Sequence, residues 1–470
     1  MRDLYDVGMN AEGTAIIFHR SALGQSLKDQ VDRAIGKTES CNRHTRETQL
    51  GPVSEWRTTL RLTSHNVFRR TLGRSRSGVE FALNRGKRTA MQYRKFGKLG
   101  WQVSALGFGC MRFPTADGER LSPNILEDEA IRMVRHAIDN GVNYLDTAYP
   151  YHGGQSEIVV GKALRDGYRE KVRLATKLPT WQVTCAEDFD RLLDEQLKKL
   201  DTTHIDFYLL HALGKSRWHE VVLKHDLFGR AEAALADGRI RHLGFSFHDD
   251  YEAFEEIVKG TDLWDFCQIQ YNYMDTETQA GTRGLKLAAE KGLAVAVMEP
   301  LMGGRLADPP KDVRDAMEAF DVRRSPAEWA LGWLWDQPEV SVVLSGMSAM
   351  SQVEENLAIA GRSRVGAFTG AEQALIARAR EMYQARTVIP CTRCNYCMPC
   401  PNGLNIPGNF EHFNFAHLFD DVKTAKFRYQ VFLKPEERSS ACIDCGICED
   451  ICPQQIHIGE WMPKVTALLG

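Results

Sequence analysis

The stretch Leu145-Asp146-Thr147-Ala148-Tyr149-Pro150-Tyr151 reads as the C-terminal end of a buried strand running into a loop. Asp146 closes a short apolar run (Val142, Tyr144, Leu145), and Tyr151 follows in a loop broken by Pro150. Two later stretches have the same form. Residues 172–177 (VRLATK) are an apolar run ending in lysine, and residues 205–211 (IDFYLLH) are one ending in histidine. Each polar residue thus sits where a parallel strand emerges from the core, the face on which barrel enzymes carry their chemistry.

Together these residues make an acid suited to carbonyl reduction. A tyrosine hydroxyl titrates near ~10, too high for efficient proton donation at neutral pH. A neighbouring ammonium lowers that pKa, a carboxylate keeps the ammonium charged, and a neutral imidazole hydrogen-bonds a substrate oxygen. Asp146, Tyr151, Lys177 and His211 supply that set. Singly, each has an ordinary structural reading, as a helix cap or a solvated side chain. The function is carried by their joint occurrence, in this order, at three strand ends.

Outward from these motifs, short apolar runs alternate with helix-length segments. The runs are residues 105–110, 142–145, 172–176, 205–210, 241–245, 266–269, 293–298 and 340–344. Eight such runs are what closes a parallel (β/α)8 TIM barrel. The segments between them suit helices: 127–140 ends in Asn-Gly, and 187–200 places Phe189, Leu192, Leu193, Leu197 and Leu200 at helical spacing. Arg94-Lys95-Phe96 and Trp101-Gln102-Val103, around Gly97 and Gly100, predict a hairpin that plugs the barrel floor.

DTAYPY, LATKL and YLLHAL resemble the tetrad motifs of the aldo-keto reductases, and the resemblance covers roughly residues 91–356. It implies a nicotinamide cofactor bound without a Rossmann fingerprint and hydride transfer to an aldehyde or ketone, or the reverse alcohol oxidation. It also implies cofactor contacts. Ser246 and Gln268 would hold the carboxamide, with Phe247 where the family often has asparagine. Met298 stands where many relatives have a stacking aromatic. Glu299, Leu301 and Gly303, in the loop EPLMGG, would approach the pyrophosphate, and Glu355 and Asn356 the adenine. Gly346 and Gln352 occupy positions where NADPH-specific relatives carry cations, so NADH is slightly favoured within NAD(P)H.

The C-terminal part carries CTRCNYCMPCP (Cys391, Cys394, Cys397, Cys400) and CIDCGICEDICP (Cys442, Cys445, Cys448, Cys452). Three cysteines at two-residue gaps with a fourth before proline is the spacing that wraps a [4Fe-4S] cube. Two four-thiolate zinc sites are the alternative. The module resembles a dicluster ferredoxin-type domain. In two-cluster ferredoxins the fourth cysteine serves the other cluster, which would join Cys452 to the first set and Cys400 to the second. A helix-like stretch, 371–385, leads into the module. The aromatic residues Phe410, Phe413, Phe415, Phe419, Phe427, Tyr429 and Phe432 are expected to pack two helices around the clusters.

The chain has 470 residues and a net charge of -3, which gives no general reason to expect nucleic acid or a membrane as partner. No apolar run reaches the ~18 residues of a membrane span, and the start MRDLYDVGMN does not read as a secretory signal. Of the 12 cysteines, Cys41, Cys110, Cys185 and Cys267 are scattered and read as inert core residues, while the crowded eight suit a reducing, cytoplasmic setting. Residues 1–90 show no sustained period and carry a basic run from Arg57 to Arg88. They read as a disordered extension or as sequence upstream of the true start, with a basic arm or transit peptide as the functional alternative. The expected domains are therefore 1–90, a barrel over 91–370 and a small, mainly helical iron-sulfur module over 371–470.

The expected function is NAD(P)H-dependent reduction of a small carbonyl compound or oxidation of an alcohol, with two [4Fe-4S] clusters that transfer electrons, dock a redox partner protein or serve as structure. The alternative is a nicotinamide-binding redox sensor or electron carrier that turns over no small carbonyl.

Overall fold

The computed structural model describes residues 90–119, 121–391, 393 and 395–470, together with the backbone of residues 5–9 and 15–19. In the N-terminal stretch, Tyr5–Met9 and Ala15–His19 pair antiparallel, with Tyr5 opposite His19. Strands of five residues are too short to leave a sustained period, which is why the sequence shows none there. The rest of the expected disordered extension, with its basic run and Cys41, lies outside the described residues.

Eight parallel strands close a barrel in chain order: β1 (Leu106–Gly109), β2 (Tyr144–Asp146), β3 (Arg173–Leu178), β4 (Ile205–Leu213), β5 (Ile240–Phe247), β6 (Trp264–Gln270), β7 (Ala294–Met298) and β8 (Val342–Gly346). Closure comes from β8 pairing with β1, Val343 opposite Leu106. The strands are apolar on both faces because helices cover the outside and packed side chains fill the inside. Helix Glu127–Asp139, for example, buries Ala130, Met133, Val134 and Ala137 against the sheet.

The barrel floor is plugged as expected. Tyr93–Lys95 and Gln102–Ser104 form an antiparallel hairpin. From it Phe96, 0% exposed, enters the barrel and meets the rings of Phe207, Tyr144 and Phe266 at 4.7, 5.8 and 5.9 Å. Gly97 follows at φ 51, and a Cβ there would lie 2.5 Å from the Ala294 nitrogen, so the turn needs glycine.

Past the barrel, helix Gly370–Gln384 starts with a Thr369/Glu372 capping box and leads to helices Ile406–Phe419, Val422–Phe432 and Ile458–Leu469. These share one hydrophobic core with the barrel's own Leu306, Val313, Met317 and Trp329. Barrel and C-terminal helices belong to one compact unit, Arg85–Gly470. Phe410, Phe413, Phe415, Phe419 and Tyr429 are buried in that core, whereas Phe427 and Phe432 are exposed on the outer side of their helix, contrary to the expected packing. Among the described residues no helix is long and apolar enough to cross a membrane.

The floor plug is testable. Phe96→Ala removes a fully buried ring from a site that backbone cannot refill, and is expected to cost about 3–5 kcal/mol in a denaturant titration. A variant of unchanged stability would show that the hairpin does not support the barrel.

Candidate active site and cysteine cavities

The four expected residues come together at the C-terminal end of the barrel. Asp146 is the last residue of β2, Lys177 lies near the end of β3 and His211 near the end of β4. Because β2, β3 and β4 are neighbours, residues far apart in sequence share one rim. Lys177 is 1% exposed, and its ammonium makes three contacts: Asp146 Oδ1 at 2.7 Å, the Thr147 carbonyl at 2.8 Å and Tyr151 Oη at 3.5 Å. The Tyr151 ring stands nearly edge-on to the His211 imidazole, 6.3 Å between centroids. A bulge between Leu210 and Leu213, with Ala212 at φ 55, ends the regular register of β4 at His211.

The turn that carries Tyr151 is built by its successors. His152, Gly153 and Gly154 all have positive φ. His152 is buried, and its Nδ1 lies 2.7 Å from the Ser122 carbonyl, which ties the turn to the loop after β1. Sequence reasoning passed over His152, although the Gly-Gly behind it was the available signal for a tight turn.

Burial and charge oppose each other at this site. Burial works to discharge Lys177, but the Asp146 carboxylate and the Tyr151 hydroxyl outweigh it and hold the ammonium above its usual range. Burial pushes Asp146 up, against the pull of Lys177 and Gln268. Burial likewise pushes the Tyr151 hydroxyl up; the Lys177 charge draws it down as expected, but not far enough to win. His211 is held well below the ordinary histidine range by burial, with the charges of Lys177, His248 and Arg217 adding to it, so its imidazole is neutral.

A cavity of about 860 Å³ opens from Tyr151 and Asp146 across the barrel top. Gln268, Met298, Glu299, Leu301, Gly303, Gly346, Gln352, Glu355 and Asn356 all line it, as expected of cofactor contacts. Ser246 sits apart from this lining: it is buried, and its Oγ accepts the Ala212 N–H at 2.7 Å, supporting the β4 bulge. The cavity suits a nicotinamide dinucleotide. Gln268 Oε1 is buried without a hydrogen-bond partner among the described residues and fits a carboxamide N–H. Gly303 and Gly304 are both at positive φ, and a Cβ on Gly304 would meet nothing among the described residues within 4 Å.

Other lining residues had no signal in the sequence. Arg112, after β1, packs so closely on Gly346 that a Cβ there would lie 2.6 Å from its Cγ. Arg305 pairs with Asp421 at 3.2 Å and stacks over the Phe415 ring at 4.4 Å. Phe419, Asp420 and Asp421, at the C-terminal end of helix Ile406–Phe419, also line the cavity. The C-terminal region therefore completes a wall of the barrel's own site.

The cysteines ring two small cavities. One is lined by Cys400, Cys442, Cys445 and Cys448, the other by Cys391, Cys397 and Cys452. Cys394 lies outside the described residues. The long-range partner in each case is the cysteine before proline. Ile406 and Ile458, at the starts of their helices, line both cavities and separate them with apolar side chains. Among the described residues no three Cys, His, Asp or Glu side chains are gathered so as to hold a single metal ion. Of the scattered cysteines, Cys110 and Cys267 are buried as expected, but Cys185 is exposed.

The neutrality of His211 can be measured. Its ring resonances should keep their neutral-imidazole positions across about pH 5 to 8, the window in which an ordinary histidine titrates. Titration near ~6.5 would contradict the buried, cation-flanked environment.

Comparison with known proteins places these features in a family. Residues 105–363 match the aldo/keto reductase family and residues 390–456 match the 4Fe-4S dicluster domain. The oxidoreductase YqkF of Bacillus subtilis (strain 168) is 28% identical over 306 residues, 58% of this chain and 93% of that protein. The aldo-keto reductase AKR11C1 from Bacillus halodurans, in its holo form, superposes with a TM-score of 0.52 at 26% identity, covering 62% of this chain and 96% of its own. An aldo/keto reductase from Klebsiella pneumoniae in complex with NADP and acetate gives a TM-score of 0.50 at 25% identity, over 62% of this chain and 95% of its own. This chain belongs to the aldo/keto reductase family of oxidoreductases and carries a 4Fe-4S dicluster domain behind its barrel.

Proposed function

We propose that this protein reduces an aldehyde or ketone, or oxidises the corresponding alcohol, with a nicotinamide dinucleotide in the barrel-top cavity. The observation that carries the reading is the ammonium of Lys177, held between Asp146 Oδ1 at 2.7 Å and Tyr151 Oη at 3.5 Å beside a neutral His211. When bound, a dihydronicotinamide would supply the hydride, and with it both electrons, to the carbonyl carbon. Tyr151 gives its hydroxyl proton to the carbonyl oxygen as negative charge develops there. Lys177 stabilises the phenolate left behind, and Asp146 keeps Lys177 charged. His211, uncharged, hydrogen-bonds the same oxygen and orients it. Gln268 would hold the carboxamide, Met298 would meet the nicotinamide face, the loop through Glu299, Leu301 and Gly303 would border the pyrophosphate, and Gly346, Gln352, Glu355 and Asn356 would surround the adenosine end. The NADP bound in the Klebsiella pneumoniae relative supports the same cofactor class. Between the two forms NADH is slightly favoured: Gly346 offers no cation, and Gln352 accepts the Ser348 N–H at 2.8 Å.

The domain division follows the chemistry: a barrel over 91–370 and a cluster module over 371–470, in a reducing, cytoplasmic setting. In the module, two [4Fe-4S] clusters with crossed ligands are the reading that the cavity linings support. Cys452 would join Cys391, Cys394 and Cys397, and Cys400 would join Cys442, Cys445 and Cys448. A second reading, an electron-carrying or redox-sensing subunit, is favoured by one observation: helix Ile406–Phe419 borders the cysteine cavities at one end and the barrel cavity at the other. A redox partner docking at the module belongs to that reading.

Tyr151→Phe removes the acid and spares most of the cavity. Carbonyl reduction should fall by ~100-fold or more while nicotinamide binding, followed by fluorescence, persists. Reduction at the original rate would remove Tyr151 from the chemistry, and absence of turnover on a broad anaerobic carbonyl panel would favour the second reading. NADH should give a kcat/KM at least equal to that of NADPH, and Gln352→Arg should move the preference towards NADPH. If the unmodified protein strongly prefers NADPH, Arg112 is the first cation to substitute.

Protein purified without oxygen should contain iron and sulfide for two cubes. Cys452→Ser should damage the cluster of Cys391, Cys394 and Cys397 before the other. Zinc in their place would end the cluster assignment.

A further inference from the structure

A second group of side chains flanks His211. Trp181, on the 3-10 turn Thr180–Gln182 that follows β3, is 44% exposed, and its ring lies 5.1 Å from the His211 ring. Thr180 in the same turn donates its hydroxyl to the His211 carbonyl at 2.7 Å, so turn and strand are joined. Arg217, in the segment after β4, places its guanidinium 5.8 Å from the centre of the Trp181 ring. Its Nη1 donates to the Ala212 carbonyl at 2.6 Å, at the bulge that ends β4. A π-helix, Trp218–Leu223, follows directly, a rare geometry that is frequent at functional sites.

Arg217 is held by backbone rather than by an ion pair. Its hydrogen bond goes to a backbone carbonyl, and among the described residues no carboxylate lies within ion-pair distance of it. Lys177 is in a different position, neutralised by Asp146. At His211 the Arg217 charge is the smallest contribution, behind burial, Lys177 and His248; at His248 it adds to burial, against the opposite pull of Glu299. A partly buried guanidinium beside an indole face, next to the imidazole that orients the carbonyl, is a receptor for an oxyanion: its planar fork matches carboxylate or phosphate oxygens.

We propose that Arg217 is a specificity-determining residue and that the carbonyl substrate carries an oxyanion, a carboxylate or phosphate group, that pairs with it. The substrate body packs on Trp181, and its carbonyl oxygen meets Tyr151 and His211. The inference rests on the reading that this chain reduces carbonyl compounds. The anionic group takes no part in the redox step: hydride goes to the carbonyl carbon, the Tyr151 proton to its oxygen, and the oxyanion leaves unchanged.

The test uses full-length protein prepared without oxygen and three probes of one shape: benzaldehyde, 4-carboxybenzaldehyde and 4-formylphenyl phosphate. At least one anionic aldehyde should exceed benzaldehyde in kcat/KM by about tenfold or more, a charge-assisted pair being worth at least that factor. Arg217→Gln should remove that advantage mainly through KM, Arg217→Lys should keep part of it, and added salt should shrink it. Whichever anionic probe depends more on Arg217 identifies the oxyanion. A merely structural Arg217 would lower all three probes alike. That result, or no anionic advantage in the unmodified protein, overturns the inference and leaves carbonyl reduction standing.

If none of the aldehydes is reduced, it is the underlying reading that fails on these probes, and binding then decides for Arg217. Quenching of tryptophan fluorescence by 4-carboxybenzyl alcohol or 4-(hydroxymethyl)phenyl phosphate, stronger than by benzyl alcohol and lost in Arg217→Gln, would still support the anion site. Equal quenching by benzyl alcohol, 4-carboxybenzyl alcohol and 4-(hydroxymethyl)phenyl phosphate would overturn it.

Discussion

The buried ammonium of Lys177 is the constraint around which the barrel top is arranged. A charge at 1% exposure is tolerable only with its hydrogen bonds satisfied, and Asp146, Thr147 and Tyr151 provide three acceptors. Two of them stand at the end of β2, so the pairing of β2 with β3 is also what neutralises the charge. Removing one partner of such a pair typically costs about 3–5 kcal/mol, because the other charge stays buried. The same burial that strengthens the pair raises the Tyr151 hydroxyl and silences His211 as a base. One low-dielectric site thus sets three protonation states at once.

The C-terminal region is not an appendage. Its helices share a core with Leu306, Val313, Met317 and Trp329 of the barrel. Helix Ile406–Phe419 has 14 residues, so its ends are about 20 Å apart at 1.5 Å per residue. Ile406 borders both cysteine cavities, and Phe419 borders the barrel cavity. Beyond the helix, Asp421 holds Arg305, which lies behind the glycines of the loop after β7. A shift of this helix would be felt at both ends, since packed interiors transmit displacement rather than absorb it.

Much of this was legible in the chain because it follows from local pattern. Eight apolar runs with helix-length intervals dictate eight parallel strands, and every one lies within a few residues of its run. Phe96 and Trp101 on either side of Gly97 and Gly100 signalled the floor plug; Asp146, Lys177 and His211 were marked by their place at strand ends, and Tyr151 by the proline-broken loop after the first of them. The two cysteine sets, each ending before a proline, indicated a module whose long-range partners, Cys452 and Cys400, line the opposite cavities. Such features are carried by periodicity and spacing, which the sequence holds directly.

What only the tertiary structure decided are the encounters between distant segments. Arg112 against Gly346, Arg305 with Asp421, and Arg217 beside Trp181 and His211 bring together residues whose sequence context is that of ordinary surface side chains. Ser246 shows a further case: its position suggests a cofactor contact, and only the bulge of β4 shows that its hydroxyl also accepts the Ala212 N–H. The sign of a pKa shift is of the same kind. Lys177 beside Tyr151 predicts a lowered hydroxyl, but the outcome depends on how much water remains, and burial is a property of the packed whole. Sequence alone determined the barrel, the meeting of Asp146, Lys177 and His211 at one rim, and the cysteine module, since strand ends and ligand spacing are local; which side chains line the barrel-top cavity was settled by loops that meet only after the barrel has closed.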